Sequence, residues 1–483
     1  MSDADRAAPA GDLAIVLHSH MPYVEGFGTY PFGEEWLFDA VVRSHLPVLD
    51  VARDLTLTVT PVLADQLEAP GVPGRLREFL VRHRIEAAAR DIESADAGYR
   101  DAAVTEFERY SAALRLLDSH GGDSLAAFQS VAGPGGGRGV ELIASSATHA
   151  VLPLLASTRG VDLQVGTGLA SHRRRFGDSR GFWLPECAYE PGLEADLARQ
   201  GVGYFCVDQS RFESGDEALS PVATEAGPLA FTIDWTAVSW LWDMSGYPSW
   251  PGYLDFHRLS IHGVRIFRID GGPYDGEAAL GRARQQAAEF LDAAASRLAA
   301  YRERTGDPGL MVFACDCELL GHWWSEGPAW LEAVLSSAPG HGIRLTTLGD
   351  AAARVEAGEA PAREIGLRAS TWGDDKDFHT WDSPAVSDMA TAARRLELSV
   401  STAVARGLDR PRAERAVREL LAVQASDWAF LDSRREAGDY AFERAVAHAE
   451  NALEAIDSAA GVPLDSRVRS LAPDLSLAPL LVP

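Results

Sequence analysis

Eight short apolar-rich runs of strand character restrict this chain more than any other feature. They cover residues 13–18, 55–63, 140–145, 182–186, 204–208, 264–270, 311–316 and 343–348. Runs of this length, polar mainly at their ends, fit strands covered on both faces. Helical patterns separate several of them, most clearly an Ala- and Arg-rich stretch at 277–304. Strands alternating with helices predict a parallel sheet, and this many strands favours a barrel. Residues of about 65–130 are charged, helical and without a strand pattern, so they read as an insertion. The stretch of about 190–258 is irregular and aromatic-rich, which suggests a second insertion near the active face. Beyond about 384 the pattern is helical throughout, at 387–406, 410–427 and 435–458, as expected of a separate domain before a Pro-rich tail. The Gly-rich run Gly133–Gly139 lacks the Gly-Lys-Ser/Thr of a phosphate loop and precedes a strand, so it reads as a plain connection.

In a parallel barrel the carboxyl ends of the strands face substrate. Two predicted strands end there on acids: Gly181-Phe-Trp-Leu-Pro-Glu186-Cys-Ala-Tyr189 and Phe313-Ala-Cys-Asp316-Cys-Glu318-Leu-Leu-Gly-His322-Trp-Trp. Two carboxylates so placed, among rings that can stack on sugars, are the minimum equipment of a retaining glycosidase or transglycosidase. Alternation groups Val312, Ala314, Asp316 and Glu318 on one face, leaving Phe313, Cys315 and Cys317 to pack outward. Pro185 should end its strand at Glu186. The first strand puts His18 and His20 on one face, and His149 closes another strand-like segment. These imidazoles could bind a metal, donate to a sugar or hold a carboxylate.

Aromatic residues concentrate where a polysaccharide would lie. Trp240, Trp242, Tyr247, Trp250 and Tyr253 crowd one Gly/Pro-punctuated loop, Trp323 and Trp324 follow Asp316, and Trp372 and Trp381 flank an acidic Gly-Asp-Asp-Lys-Asp segment. Such rings offer flat faces to the C–H faces of glucose. The balance of 44 basic against 70 acidic residues, a net charge of −26, disfavours nucleic acid and anionic membrane surfaces as partners. Lys376 is the one lysine, which reads as compositional bias toward Arg. The first ten residues lack the apolar stretch of a signal peptide and no run is long enough to span a membrane, so a cytoplasmic location is expected. Cys187, Cys206, Cys315 and Cys317 then read as free thiols.

With these motifs in order, the sequence resembles the glycoside hydrolase family 57 α-glucan branching enzymes over most of its length. His18-Ser-His20-Met-Pro matches the family's opening segment, Ala147-Thr-His149-Ala-Val-Leu-Pro its second, and Trp183-Leu-Pro-Glu186 its third. Asp316-Cys-Glu-Leu-Leu-Gly-His322-Trp323 matches the fourth, Arg368-Ala-Ser-Thr-Trp372-Gly the fifth, and Gln424-Ala-Ser-Asp-Trp428 a segment of the helical domain. The resemblance implies an incomplete (β/α)7 TIM-like barrel at 12–370, carrying the two insertions, and a C-terminal all-α domain at 384–470. It implies a metal-free, cofactor-free retaining mechanism in which Glu186 is the nucleophile and Asp316 the general acid/base. The product would be an α-1,6 branch on an amylose- or glycogen-like α-glucan, made by a monomer or small homo-oligomer. His18, His20, His149, Trp183, Tyr247, Phe267, His322, Trp323, Trp372 and Trp428 are the implied substrate-binding residues, with Tyr247 on a lid. Phe267 stands where the family usually has Trp, and the loop after Trp372 is more charged than the family's Gly-rich version. An α-amylase or 4-α-glucanotransferase on the same scaffold is the nearest alternative. A metal-dependent polysaccharide deacetylase is a more distant one, since His18-Ser-His20 lacks the His-x-x-x-His spacing that reading needs.

Overall fold

The computed structural model describes residues 9–25, 33–132, 138–213, 215–459 and 470–481. Most of the Gly133–Gly139 run, and the first eight residues, lie outside them. Its centre is a nine-stranded sheet of β1 (Gly11–Ser19), β2 (Thr56–Val59), β3 (Glu141–Ser145), β4 (Gly181–Trp183), β5 (Tyr204–Val207), β6 (Val222–Ala223), β7 (Leu229–Thr232), β8 (Gly309–Asp316) and β9 (Ile343–Leu345). Strands β7-β5-β4-β3-β2-β1-β8 run parallel in that order, β9 lies alongside the start of β1, and the short β6 is antiparallel to β7. The two ends of the path approach without forming a ladder: beyond β7, the Asp234 N–H donates to Val312 O of β8 at 2.9 Å. The architecture is the expected incomplete TIM-like barrel.

All nine residues of β1 are buried, as both faces of a covered parallel strand require. Phe313 points outward against Phe290 of α3 (Gly276–Thr305) and Trp330 of α4 (Gly327–Ser337), so the parity read from β8 holds. Between β2 and β3 the described chain is helical, including α1 (Ala97–Ser119), and between β3 and β4 runs α2 (Thr158–Phe176). Helices α5 (Ser387–Ala405), α6 (Arg410–Val423), α7 (Ser426–Arg434) and α8 (Tyr440–Asp457) follow the barrel. Leu396, Val400, Val417 and Leu420 from α5 and α6 share one apolar cluster with Tyr23, Val62, Ala147 and Leu163, which fixes these helices to the barrel face.

Three expectations change. The run at 55–63 stops being a strand at Val59, because Thr60-Pro61 opens a helix (Pro61–Leu67) with proline in its first turn. The run at 264–270 forms only isolated bridges, Leu254 with Arg268 and Phe267 with Pro273. Its apolar and charged residues alternate: Val264 and Ile266 are buried, while Arg265 reaches Asp39 and the His322 carbonyl. The sheet position is taken by β7, whose four residues the sequence reading passed over; residues 190–258 thus supply β5, β6 and β7 as well as the aromatic loop. Finally, the helix expected over 410–427 breaks after Val423, where Ala425 is extended (ψ 134°) and bridges to Ala150.

Candidate active site

Strand register assembles the site. His18 of β1 is paired with Asp316 of β8 on one side and Thr58 of β2 on the other, so the three side chains stand abreast at the carboxyl edge. Two strands on, β4 ends at Trp183, and Leu184-Pro185 deliver Glu186. Glu186 and Cys187 take positive φ values of 59° and 49°, as does His149 at 59°. Left-handed non-glycine residues cost about 1–3 kcal/mol each and persist only where surroundings over-determine them. Here Trp372 N–H donates to Glu186 O at 2.9 Å, and Ser426 N–H donates to His149 O at 3.0 Å.

The Glu186 carboxylate is gripped at both oxygens. Trp372 Nε1–H donates to Oε2 at 2.9 Å and Ser426 Oγ–H donates to Oε1 at 2.8 Å, with His149 Nδ1 3.7 Å from Oε1. Burial raises the pKa of this carboxyl, and the two donated bonds oppose the rise. Asp316 keeps partial exposure at the end of β8. Burial first, then the neighbouring Glu318 and Glu186 charges, push its pKa up to about 8. One carboxyl is thus held by donors suited to an anion and the other by surroundings that keep it protonated at neutral pH, the division of labour an acid and a nucleophile need.

A line of hydrogen bonds runs behind Glu186. His149 Nδ1 meets Ser426 Oγ at 2.8 Å, His149 Nε2 meets His18 Nε2 at 2.9 Å, and His18 Nδ1 meets Thr58 Oγ1 at 2.7 Å. Burial, then the charge of His20, lowers the pKa of His18 well below 6.5; burial, then His20 and His18, does the same to His149. With both rings neutral, one tautomer set satisfies the line. Since Ser426 donates to Glu186, His149 Nδ1–H donates to Ser426, His18 Nε2–H to His149, and Thr58 O–H to His18. Every proton points toward the nucleophile candidate. His20 differs: burial pulls its pKa down, but Asp427 at 2.9 Å from Nε2, with Glu318 and Glu186 nearby, makes the net shift upward. The His20 backbone N–H also donates to Glu318 Oε1 at 3.2 Å, which His45 Nε2 meets at 2.5 Å.

The six remaining expected residues surround or miss this cluster in definite ways. Trp183 is buried, stacked on His18 with centroids 4.7 Å apart and edge-on to Trp372 at 5.1 Å, so it supports the cluster from beneath and offers no open face. Trp428 is buried, donates to Ala422 O at 2.6 Å and lies beside Arg444; it anchors α7, while its neighbours Ser426 and Asp427 reach the site. Tyr247 rests near Arg282 and Glu289 of α3, its carbonyl accepting from Gln286 at 3.3 Å, and Phe267 packs on Tyr99 and Arg258. Neither is held against the acids. His322 belongs to a second buried cluster, its Nδ1 3.1 Å from Asp39 Oδ2. Trp323, 47% exposed, packs at a tilt against Phe256 with centroids 4.4 Å apart and presents an open ring. Sequence reasoning missed Ser426, Asp427, Glu318, Thr58 and Thr60, the last of which meets His20 Nδ1 through its Oγ1 at 3.0 Å; Ser426-Asp427 could have been found as a polar pair opening a helix within the segment already noted for Trp428. All four cysteines are buried free thiols, and among the described residues no three His, Cys, Asp or Glu side chains are grouped to hold a metal ion. No described helix is long and apolar enough to cross a membrane.

Comparison with known proteins identifies the family. The model of glycosyl hydrolase family 57 matches residues 14–362, and that of the 1,4-alpha-glucan branching enzyme C-terminal region matches residues 388–474. A probable 1,4-alpha-glucan branching enzyme of Mycobacterium tuberculosis is 33% identical, the match covering 92% of this chain and 91% of that protein. Among solved structures, the family 57 branching enzyme of Thermococcus kodakaraensis in complex with glucose superposes with a TM-score of 0.90 at 27% identity, covering 98% of this chain and 97% of the other. The corresponding enzyme of Pyrococcus horikoshii gives 0.89 at 28% identity, with coverage of 98% and 97%. The order of the motifs, the incomplete barrel and the matched models agree that the chain belongs to glycosyl hydrolase family 57.

Proposed function

We propose that this protein is a 1,4-α-glucan branching enzyme that works by double displacement with retention. Glu186 attacks the anomeric carbon of an α-1,4-linked glucan while Asp316 gives its proton to the departing O4. The chain left on Glu186 is a covalent glycosyl-enzyme. Asp316, now ionised, takes the proton of an acceptor glucose 6-hydroxyl; that oxygen displaces Glu186 and an α-1,6 branch forms. The observation that carries the reading is the opposite treatment of the two carboxyls: two donors on Glu186, an acid-stabilising recess around Asp316. The His18–His149 contact turns both Nε2 atoms toward each other, which leaves those nitrogens engaged and disfavours the deacetylase alternative. The division of labour in this reading is a catalytic barrel at 12–370 and a helical domain at 384–470 that contributes Ser426 and Asp427; the matches at 14–362 and 388–474 support it. The substrate is an amylose- or glycogen-like α-glucan.

The test is incubation with amylose, then debranching with an α-1,6-specific enzyme and chain-length analysis of the product. New branch ends are expected from the parent protein. Glu186→Gln and Asp316→Asn should each lower turnover by at least about three orders of magnitude, equivalent to about 4 kcal/mol. Shortened or disproportionated chains without branch ends would instead identify an α-amylase or 4-α-glucanotransferase.

A further inference from the structure

The only lysine in the chain, Lys376, reaches the backbone of Trp372. Forty-three other basic residues are Arg, since Lys and Arg together number 44. Its place decides against composition as the sole explanation. Lys376 Nζ lies 3.1 Å from Oδ2 of the fully buried Asp208 at the end of β5, donates to Trp372 O at 3.3 Å and sits over the Trp235 ring. Asp208 Oδ1 is taken by the Ser210 N–H at 2.8 Å. A compact ammonium can meet a carboxylate, a carbonyl and a ring face at once; a planar guanidinium is wider and fixed in its fork. The loop it holds is under strain, with Asp375 and Lys376 both left-handed at φ 56° and 58°.

We propose that Lys376 is a positioning residue for glycosyl transfer: its ammonium fastens the Trp372 loop to Asp208, and Trp372 in turn holds the Glu186 carboxylate in its attacking orientation. This rests on the reading of Glu186 as nucleophile. Arg211 binds the same loop from outside, through Asp375 O at 3.0 Å and Asp377 Oδ2 at 3.2 Å, and Arg434 meets Asp374 Oδ1 at 2.8 Å. Those contacts are exposed and reach the loop beyond Trp372, so they do not set the indole. The groups facing Lys376 are Asp208, Cys187 and Asp374; those facing Glu186 are His149, His20, Asp427 and Asp316.

The experiment compares Lys376→Met, Asp208→Asn, Lys376→Arg and Arg211→Ala in the full chain, with folding checked by circular dichroism and kcat/KM for amylose followed against pH. Lys376→Met and Asp208→Asn should lose at least tenfold in kcat with KM within about threefold. The acid limb of kcat/KM should move to higher pH, because a loosened Trp372 no longer favours ionised Glu186. Lys376→Arg should recover part of both losses, and Arg211→Ala should match the parent. Parent-like kcat and an unmoved limb in either folded neutralising variant overturn the inference, as does an equal loss in Arg211→Ala. An active Glu186→Gln protein would sink the nucleophile assignment itself; an inactive one beside a normal Lys376→Met protein would sink only the role of Lys376.

Discussion

Removing one hydroxyl, in Ser426→Ala, examines the site most directly. In the folded protein Ser426 Oγ–H donates to Glu186 Oε1 at 2.8 Å, one of two strong donors on that carboxylate. A hydrogen bond to a charged group contributes about 1.5–3 kcal/mol, and one pKa unit corresponds to about 1.4 kcal/mol. Loss of the bond therefore raises the Glu186 pKa by about 1–2 units. His149 Nδ1–H, 3.7 Å from the same oxygen, can take up part of the loss, which favours the lower end. Glu186 reacts as the anion, so activity disappears as pH falls through its pKa, and the variant should lose activity at a higher pH than the parent. The assay is kcat/KM for branching of amylose from about pH 4 to 8, where the acid limb reports the free enzyme. Ser426→Thr, which keeps a hydroxyl, should return the limb toward its parent position. A folded Ser426→Ala protein whose limb moves by less than about 0.3 units would refute the argument that the helical domain tunes the nucleophile.

Trp323→Ala should raise KM for long glucans at least about threefold while leaving the melting temperature near that of the parent, because the half-exposed ring contributes a stacking face and little core. Steady-state kinetics on amylose against short maltooligosaccharides checks this, and an equal change on both substrates counts against it. Tyr247→Ala should lower the ratio of transfer to hydrolysis, since the loop behind it carries the exposed Trp242 and Met244 and is suited to close over bound chain; an unchanged ratio removes the loop from the acceptor step. Stability should fall on acidification below about pH 6.5, the ordinary histidine pKa. His18 and His149 have lowered pKa values, so the unfolded chain gains protons there that the folded one refuses, at about 1.4 kcal/mol per pH unit for each ring. His20, with a raised pKa, adds stability only as pH falls toward about 6.5 and is protonated in both states below that, so it does not cancel the loss in this window. Calorimetry at pH 7 and pH 5 should show the midpoint dropping, and a flat profile would contradict neutral His18 and His149.

Local chemistry made much of this protein readable in one dimension. A fully apolar strand needs cover on both faces, so the runs that became β1, β3, β5 and β8 could be little else, and alternation alone aimed Asp316 one way and Cys315 the other. The alternating run at 264–270 misled because a half-buried segment looks alike on a sheet edge and against a helical insertion. What no local pattern carries is register and docking. His18 touches Thr58 and stands beside Asp316 because of how β1 lines up with β2 and β8, which depends on packing over the whole barrel. Ser426 meets Glu186 across 240 positions because a helix breaks at Ala425 and the helical domain docks where its cluster joins Tyr23 and Val62. The types of candidate catalytic group were therefore written in the chain; their ionisation, and the contacts of Lys376 proposed to steady them, were decided by burial and by neighbours that only the folded state supplies.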